Sequence, residues 1–95
     1  MIAFKLYQTP YPQPFYEFTA LAPFLSKFKS LDAQGEAAAT RELVAAMDKN
    51  DREAMQAAAI TVVGAQDFDL SQHRAFALTR RGDDSVHVQP IPEDA

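Results

Sequence analysis

Apolar and polar positions alternate with period two at the start of the chain. In residues 2–8, Ile2, Phe4 and Leu6 fall on one side and Ala3, Lys5 and Tyr7 on the other. That is the pattern of a half-buried strand. The period becomes helical over 50–64, NDREAMQAAAITVVG, where Met55, Ala58, Ala59 and Val62 recur at i, i+3, i+4 and i+7. Asn50 is placed to cap this helix, with Glu53 three residues on in a capping-box spacing. Gly64 is placed to close it in the left-handed conformation. A preceding helix is expected from Ser30 or Asp32 to about Asp48. Ala37, Thr40, Val44 and Met47 line one side of it, with Leu43 adjacent. The short DKND link between the two makes them an antiparallel helical hairpin.

Alternation returns near the end of the chain. Two strand-like runs cover 73–80 and 85–91. Phe76 and Leu78 share a face, and so do Val86 and Val88. The RGDD segment between the runs contains Gly82, which suits a tight turn.

The segment 9–29 allows two descriptions. Pro10, Pro12 and Pro14 fix φ and remove donors, so 9–14 is a stiff extended connection rather than helix or central strand. A proline-rich ligand for an aromatic groove is the functional alternative for this loop. Beyond it, Phe15, Phe18, Leu21 or Ala22, and Leu25 fall at helical spacing, as do Leu21, Phe24, Leu25 and Phe28. Pro23 would kink one continuous helix, so two short helices are expected, the second starting near Pro23. The alternative is a strand over 15–20, hairpinned to the first strand, which the aromatic density favours.

These elements predict an α+β fold. An isolated hairpin is marginal in water. The first strand joined to the C-terminal hairpin gives a three-stranded antiparallel sheet, or a four-stranded one if 15–20 is extended. The helices are expected on one face of it. The chain reads as a single domain over 1–95, with an acidic, frayed tail from about residue 92.

Composition narrows the class. The 95 residues are 47% hydrophobic and 23% charged, as in ordinary globular proteins. A chain of this size buries roughly 60–70% of its unfolded surface, enough for a core. No apolar run is long enough to span a membrane, and the first residues lack the features of a signal peptide, so a cytoplasmic location is expected. The absence of Cys rules out disulfides, thiol nucleophiles and Cys-based zinc sites. The net charge of −4 disfavours nucleic acid and anionic membranes and is compatible with a basic partner.

Several groups carry candidate chemistry. Asp67 and Asp69 with His73 offer oxygen and imidazole donors, yet they fall short of a coordination shell, and neither metal nor cofactor is expected. His73 and His87 carry imidazoles that would form an acid–base pair if they were cross-strand neighbours. No nucleophile accompanies them, so two solvated strand residues are the plainer account. Arg74, Arg80 and Arg81 form a candidate anion-binding group, opposed by Asp83 and Asp84 in the same turn. Arg81-Gly82-Asp83 spells an RGD tripeptide, which its turn-forming role explains without an integrin.

The densest signal is aromatic. Tyr7, Tyr11, Phe15, Tyr16, Phe18, Phe24 and Phe28 exceed what so small an interior holds. Tyr11, Phe15, Tyr16 and Phe18, around the proline loop, are therefore the candidate partner-binding residues, with a helix–sheet seam as the alternative use. Glu36, Glu42 and Asp48 are a second, acidic patch, one that Arg41, Lys49 and Arg52 weaken as a phosphate mimic. The function expected is a small protein-binding module: an inhibitor, adaptor or regulator, of the size of phage- or plasmid-type effectors. The alternatives are a small enzyme or ligand carrier using the histidines or the Asp67/Asp69 loop, and a homodimer pairing its sheet edges.

Overall fold

The structure, a computed structural model, describes residues 1–20, 33–66 and 73–92. Six elements follow in order: β1 (Ile2–Gln8), β2 (Tyr16–Ala20), α1 (Ala33–Lys49), α2 (Arg52–Ala65), β3 (Ala75–Arg80) and β4 (Val86–Pro90). They belong to two units, one carrying the four strands and the other the two helices. The class is α+β, as the periodicities predict.

The sheet has the order β2-β1-β3-β4. β1 pairs antiparallel with β2 and β3 antiparallel with β4, but β1 and β3 run parallel. The expectation of a purely antiparallel sheet is thus corrected to a mixed one. The physical reason is connection length. A short loop can join only antiparallel neighbours, whereas more than sixty residues separate β1 from β3 and leave either direction open. The alternation along β1 is the same in both cases.

Residues 16–20 form a strand, so the helix expected to begin at Phe15 is overturned and the hairpin alternative holds. Tyr16 and Phe18 alternate with exposed Glu17 and Thr19, which is period two. The second helix expected near Pro23, and the Ser30 and Asp32 caps, lie outside the described residues.

Register places one apolar face together. Phe4 lies opposite both Phe18 and Phe76, and Leu6 lies opposite Tyr16 and Leu78. Ile2, Phe4, Leu6, Phe76, Leu78 and Val88 are all buried. Phe4 stacks on Phe18 at 4.7 Å between centroids and meets Phe76 at 6.3 Å, so a row of rings crosses three strands.

In the helical unit a two-residue link joins α1 to α2. The Asp51 N–H donates to the Ala46 carbonyl (3.0 Å) and the Asn50 N–H to that of Met47 (3.2 Å). Asn50 has φ of 52°. This is a Schellman closure of α1 with Asn at the left-handed position, which Asn tolerates better than other side chains. Asn50 therefore ends α1 rather than capping α2. Asp51 is the cap: its carboxylate accepts from the Ala54 N–H at 3.2 Å. The Asn50–Glu53 capping box does not form, because the third position is Ala54.

Met55, Ala58, Ala59 and Val62 are buried as the spacing requires. On α1 the buried side is Ala39, Leu43, Val44, Ala46 and Met47. Ala37 is exposed and Thr40 half-buried, its hydroxyl donating to the Glu36 carbonyl, so the face is rotated from the expected one. Gly64 is buried inside the last turn, and the chain leaves the helix through an extended Gln66 rather than a left-handed glycine.

The β3–β4 connection is the tight turn expected of RGDD, with Gly82 within it. The Arg81 N–H donates to the Ser85 carbonyl (2.8 Å) and the Asp84 N–H to that of Arg81 (3.0 Å). The left-handed residue is Asp84, with φ of 64°, and not Gly82. This is a tight turn followed by one left-handed residue, a common hairpin closure. A Cβ built on Gly82 would meet nothing within 4 Å. Gly82→Ala should therefore raise stability by about 0.4–1 kcal/mol, by restricting the unfolded chain. A rise in the urea midpoint with unchanged slope is the expected reading; a fall would contradict the turn geometry.

Candidate functional site

The structure separates the four partner-binding candidates into two pairs. Tyr16 and Phe18, on β2, turn toward the apolar face and are half-buried. Phe18 stacks on Phe4, and Tyr16 lies 5.7 Å from Phe18. Tyr11 and Phe15 stand in the loop between β1 and β2, 66% and 42% exposed. Apart from Met1, they are the exposed large apolar side chains among the described residues.

Backbone bonds anchor this loop. The Tyr11 N–H donates to the Gln8 carbonyl (2.9 Å) and the Phe15 N–H to that of Leu6 (2.6 Å). At the loop's start the Thr9 N–H reaches the Arg80 carbonyl of β3 at 2.9 Å. Thr9–Pro10 is a cis peptide bond. Three prolines within five residues fix φ at alternate positions, so the two rings project from a loop with few free torsions.

The sheet's second face is more open. Lys5, Tyr7, Ala77 and Thr79 are half-buried there, and Glu17, Thr19, His87 and Gln89 are exposed. Lys5 and Glu17 are cross-strand partners, with their charges 3.8 Å apart. Their side chains are 40% and 57% exposed, so solvent screens the pair and it adds little stability. A shallow hollow of about 370 Å3 lies on this face, bordered by Lys5, Tyr7, Ala77, Thr79, Gln89 and Ile91. It was legible in the sequence only as the complement of the buried set.

The three arginines do not form one site. Arg74 precedes β3 and Arg80 ends it, about 20 Å apart along an extended strand. The Arg80 Nε and Nη2 donate to one Asp84 carboxylate oxygen at 3.1 and 3.0 Å. Arg81 is exposed in the turn. The anion-binding group is thus dispersed and, at Arg80, already occupied by Asp84.

The histidines are also apart. His87 pairs with Thr79, whereas His73 lies before β3, its ring edge-on to Phe76 at 5.8 Å. An acid–base pair between them is excluded by register. Asp67 and Asp69 lie outside the described residues. Among the described residues, no group of three or more His, Asp or Glu side chains is placed to hold a metal ion. No described helix is long and apolar enough to cross a membrane.

The acidic groups of the helical unit are interleaved with bases. Glu42, Lys49 and Asp51 border one hollow beside Ala54, Ala57 and Ala58. Within RGD, Asp83 is engaged by its own turn. Its carboxylate accepts from the Ser85 hydroxyl (2.6 Å) and the Ser85 N–H (3.0 Å).

Sequence reasoning missed the outer edge of β2, because 15–20 read first as helix. Ala3 and Thr9 donate to the carbonyls of Arg74, just before β3, and Arg80, at its end, so the odd residues of β1 face β3 and the even ones face β2. Register then turns the backbone of Tyr16, Phe18 and Ala20 toward β1, and that of Glu17 and Thr19 outward. None of the described residues pairs with that edge. The opposite edge, β4, presents Val86, Val88 and Pro90, and Pro90 has no N–H to give.

Comparison with protein families, with curated proteins and with solved structures gives no match.

The Ser85 hydroxyl first, and then its backbone N–H, hold the Asp83 carboxyl below the usual aspartate range. A carboxyl depressed by folding contributes stability above its unfolded pKa, near pH 3.9, and loses it as pH falls through the lower folded value. Asp83→Asn should therefore lower stability at neutral pH, with the difference from wild type shrinking below about pH 4. Carboxyl NMR titration should give Asp83 a midpoint below 3.9. A midpoint at or above that value would contradict the turn.

Proposed function

We propose that the chain is a protein-binding module, acting as an inhibitor, adaptor or regulator of a partner protein. The loop between β1 and β2 is its contact. The observation that carries this is the exposure of Tyr11 and Phe15 on one proline-restrained loop. Aromatic anchors dominate binding energy at protein interfaces because they bury large area and lose few torsions on docking. A loop already restricted by prolines loses less entropy when it docks than a free segment would.

Partner chemistry follows from the loop. Two rings suit an apolar pocket on a folded protein, and the net charge of −4 suits a basic rim around it. Tyr16 and Phe18 serve a different role here, since their rings belong to the stack on Phe4. The enzyme alternative gains no specific support: neither histidine borders the open-face hollow.

The test is capture of partners from native extract by immobilised full chain, alongside a Tyr11→Ala, Phe15→Ala double variant. Both positions are exposed, so the variant should keep the wild-type circular dichroism spectrum and urea midpoint. One partner retained by wild type, and weakened at least tenfold by the folded variant, is the expected outcome; hot-spot aromatics reach about 2 kcal/mol or more each. Equal capture by both proteins would place the contact elsewhere and overturn the proposal.

A further inference from the structure

The outer edge of β2 is a second surface, independent of the proline loop, and its chemistry is self-complementary. We infer that two copies of this chain associate by antiparallel pairing of β2 with β2 about a two-fold axis at Phe18. Outward N–H and C=O groups belong to Glu17 and Thr19. In an antiparallel pair, residues that exchange hydrogen bonds face each other directly. Centring the axis on Phe18 sets Glu17 of each copy opposite Thr19 of the other. All four outward groups on each copy are then used, giving four inter-chain bonds.

Neighbouring registers are poorer. Centring on Glu17 would set two carboxylates face to face, which is destabilising for directly opposed residues. Centring on Thr19 would shorten the overlap of the five-residue strand. The register about Phe18 overlaps all of Tyr16–Ala20 and opposes no like charges. It also sets Phe18 against Phe18 of the second copy on the apolar face. The row of rings Phe76, Phe4, Phe18 ends half-buried at this edge, and the second copy would extend it. β4 does not offer an equivalent edge, because Pro90 interrupts its donors.

Sedimentation velocity on the full chain tests this, over concentrations up to about 1 mM, the weak end of specific association. Thr19→Glu and Thr19→Lys test the register. Thr19 is exposed, and its N–H makes no bond within the sheet, so both variants should keep the wild-type circular dichroism spectrum. In the inferred pairing, Glu at 19 would face Glu17 of the other copy twice, and Lys would face it twice with attraction. Dimerisation should weaken about three- to tenfold in the first variant and tighten by a similar factor in the second. A monomer at all concentrations would overturn the inference, as would two variants that shift in the same direction. Loss of partner capture in the loop variant, with dimerisation intact, would leave the two surfaces separate.

Discussion

The sheet depends on β1 being hydrogen-bonded on both sides. Its odd residues give their backbone to β3 and its even residues to β2, while the even side chains form the buried row. One seven-residue segment thus fixes two registers and one face at once. Phe4 carries most of this constraint. It is fully buried, with Phe18 stacked on one side and Phe76 on the other. A one-residue slip in either pairing would turn the facing strand's apolar set outward, which is why a buried face specifies register so strongly.

Short-range signals were the legible part of the fold. Periodicity located β1, α2 and the C-terminal hairpin, because period-two and period-3.6 patterns are set by which side chains avoid water. Strand direction was not legible: Ile2, Phe4 and Leu6 alternate identically in a parallel or an antiparallel ladder. At 15–20 two periods fitted the same aromatics. The tertiary pairing decided between them, setting Phe18 on Phe4 and Tyr16 beside Leu6. Asn50 and Asp51 were one position out for a similar reason, since Asn serves both as a helix cap and as a left-handed terminator. For the candidate site, the exposed Tyr11 and Phe15 were readable from aromatic excess. The separation of the two histidines, and of Arg74 from Arg80, needed register.

Acidity in this protein is used locally. Asp51 caps α2, Asp83 holds Ser85, Asp84 holds Arg80, and Glu17 faces Lys5 across the sheet. Each carboxylate named here satisfies a nearby donor or cation.

Pro90 has a consequence for how molecules of this chain meet at high concentration. Side-by-side pairing of one molecule's β2 with another's β4 would be a head-to-tail contact, which builds an open filament wherever its rotation does not close a ring. In such a filament each added molecule would expose the same pair of edges again. The ladder on β4 lacks a donor at Pro90, so this repeating contact is poor from its first step. Among the described residues, a single imino acid at the end of the last strand thus makes β4 the poorer of the two sheet edges as a template for a further strand.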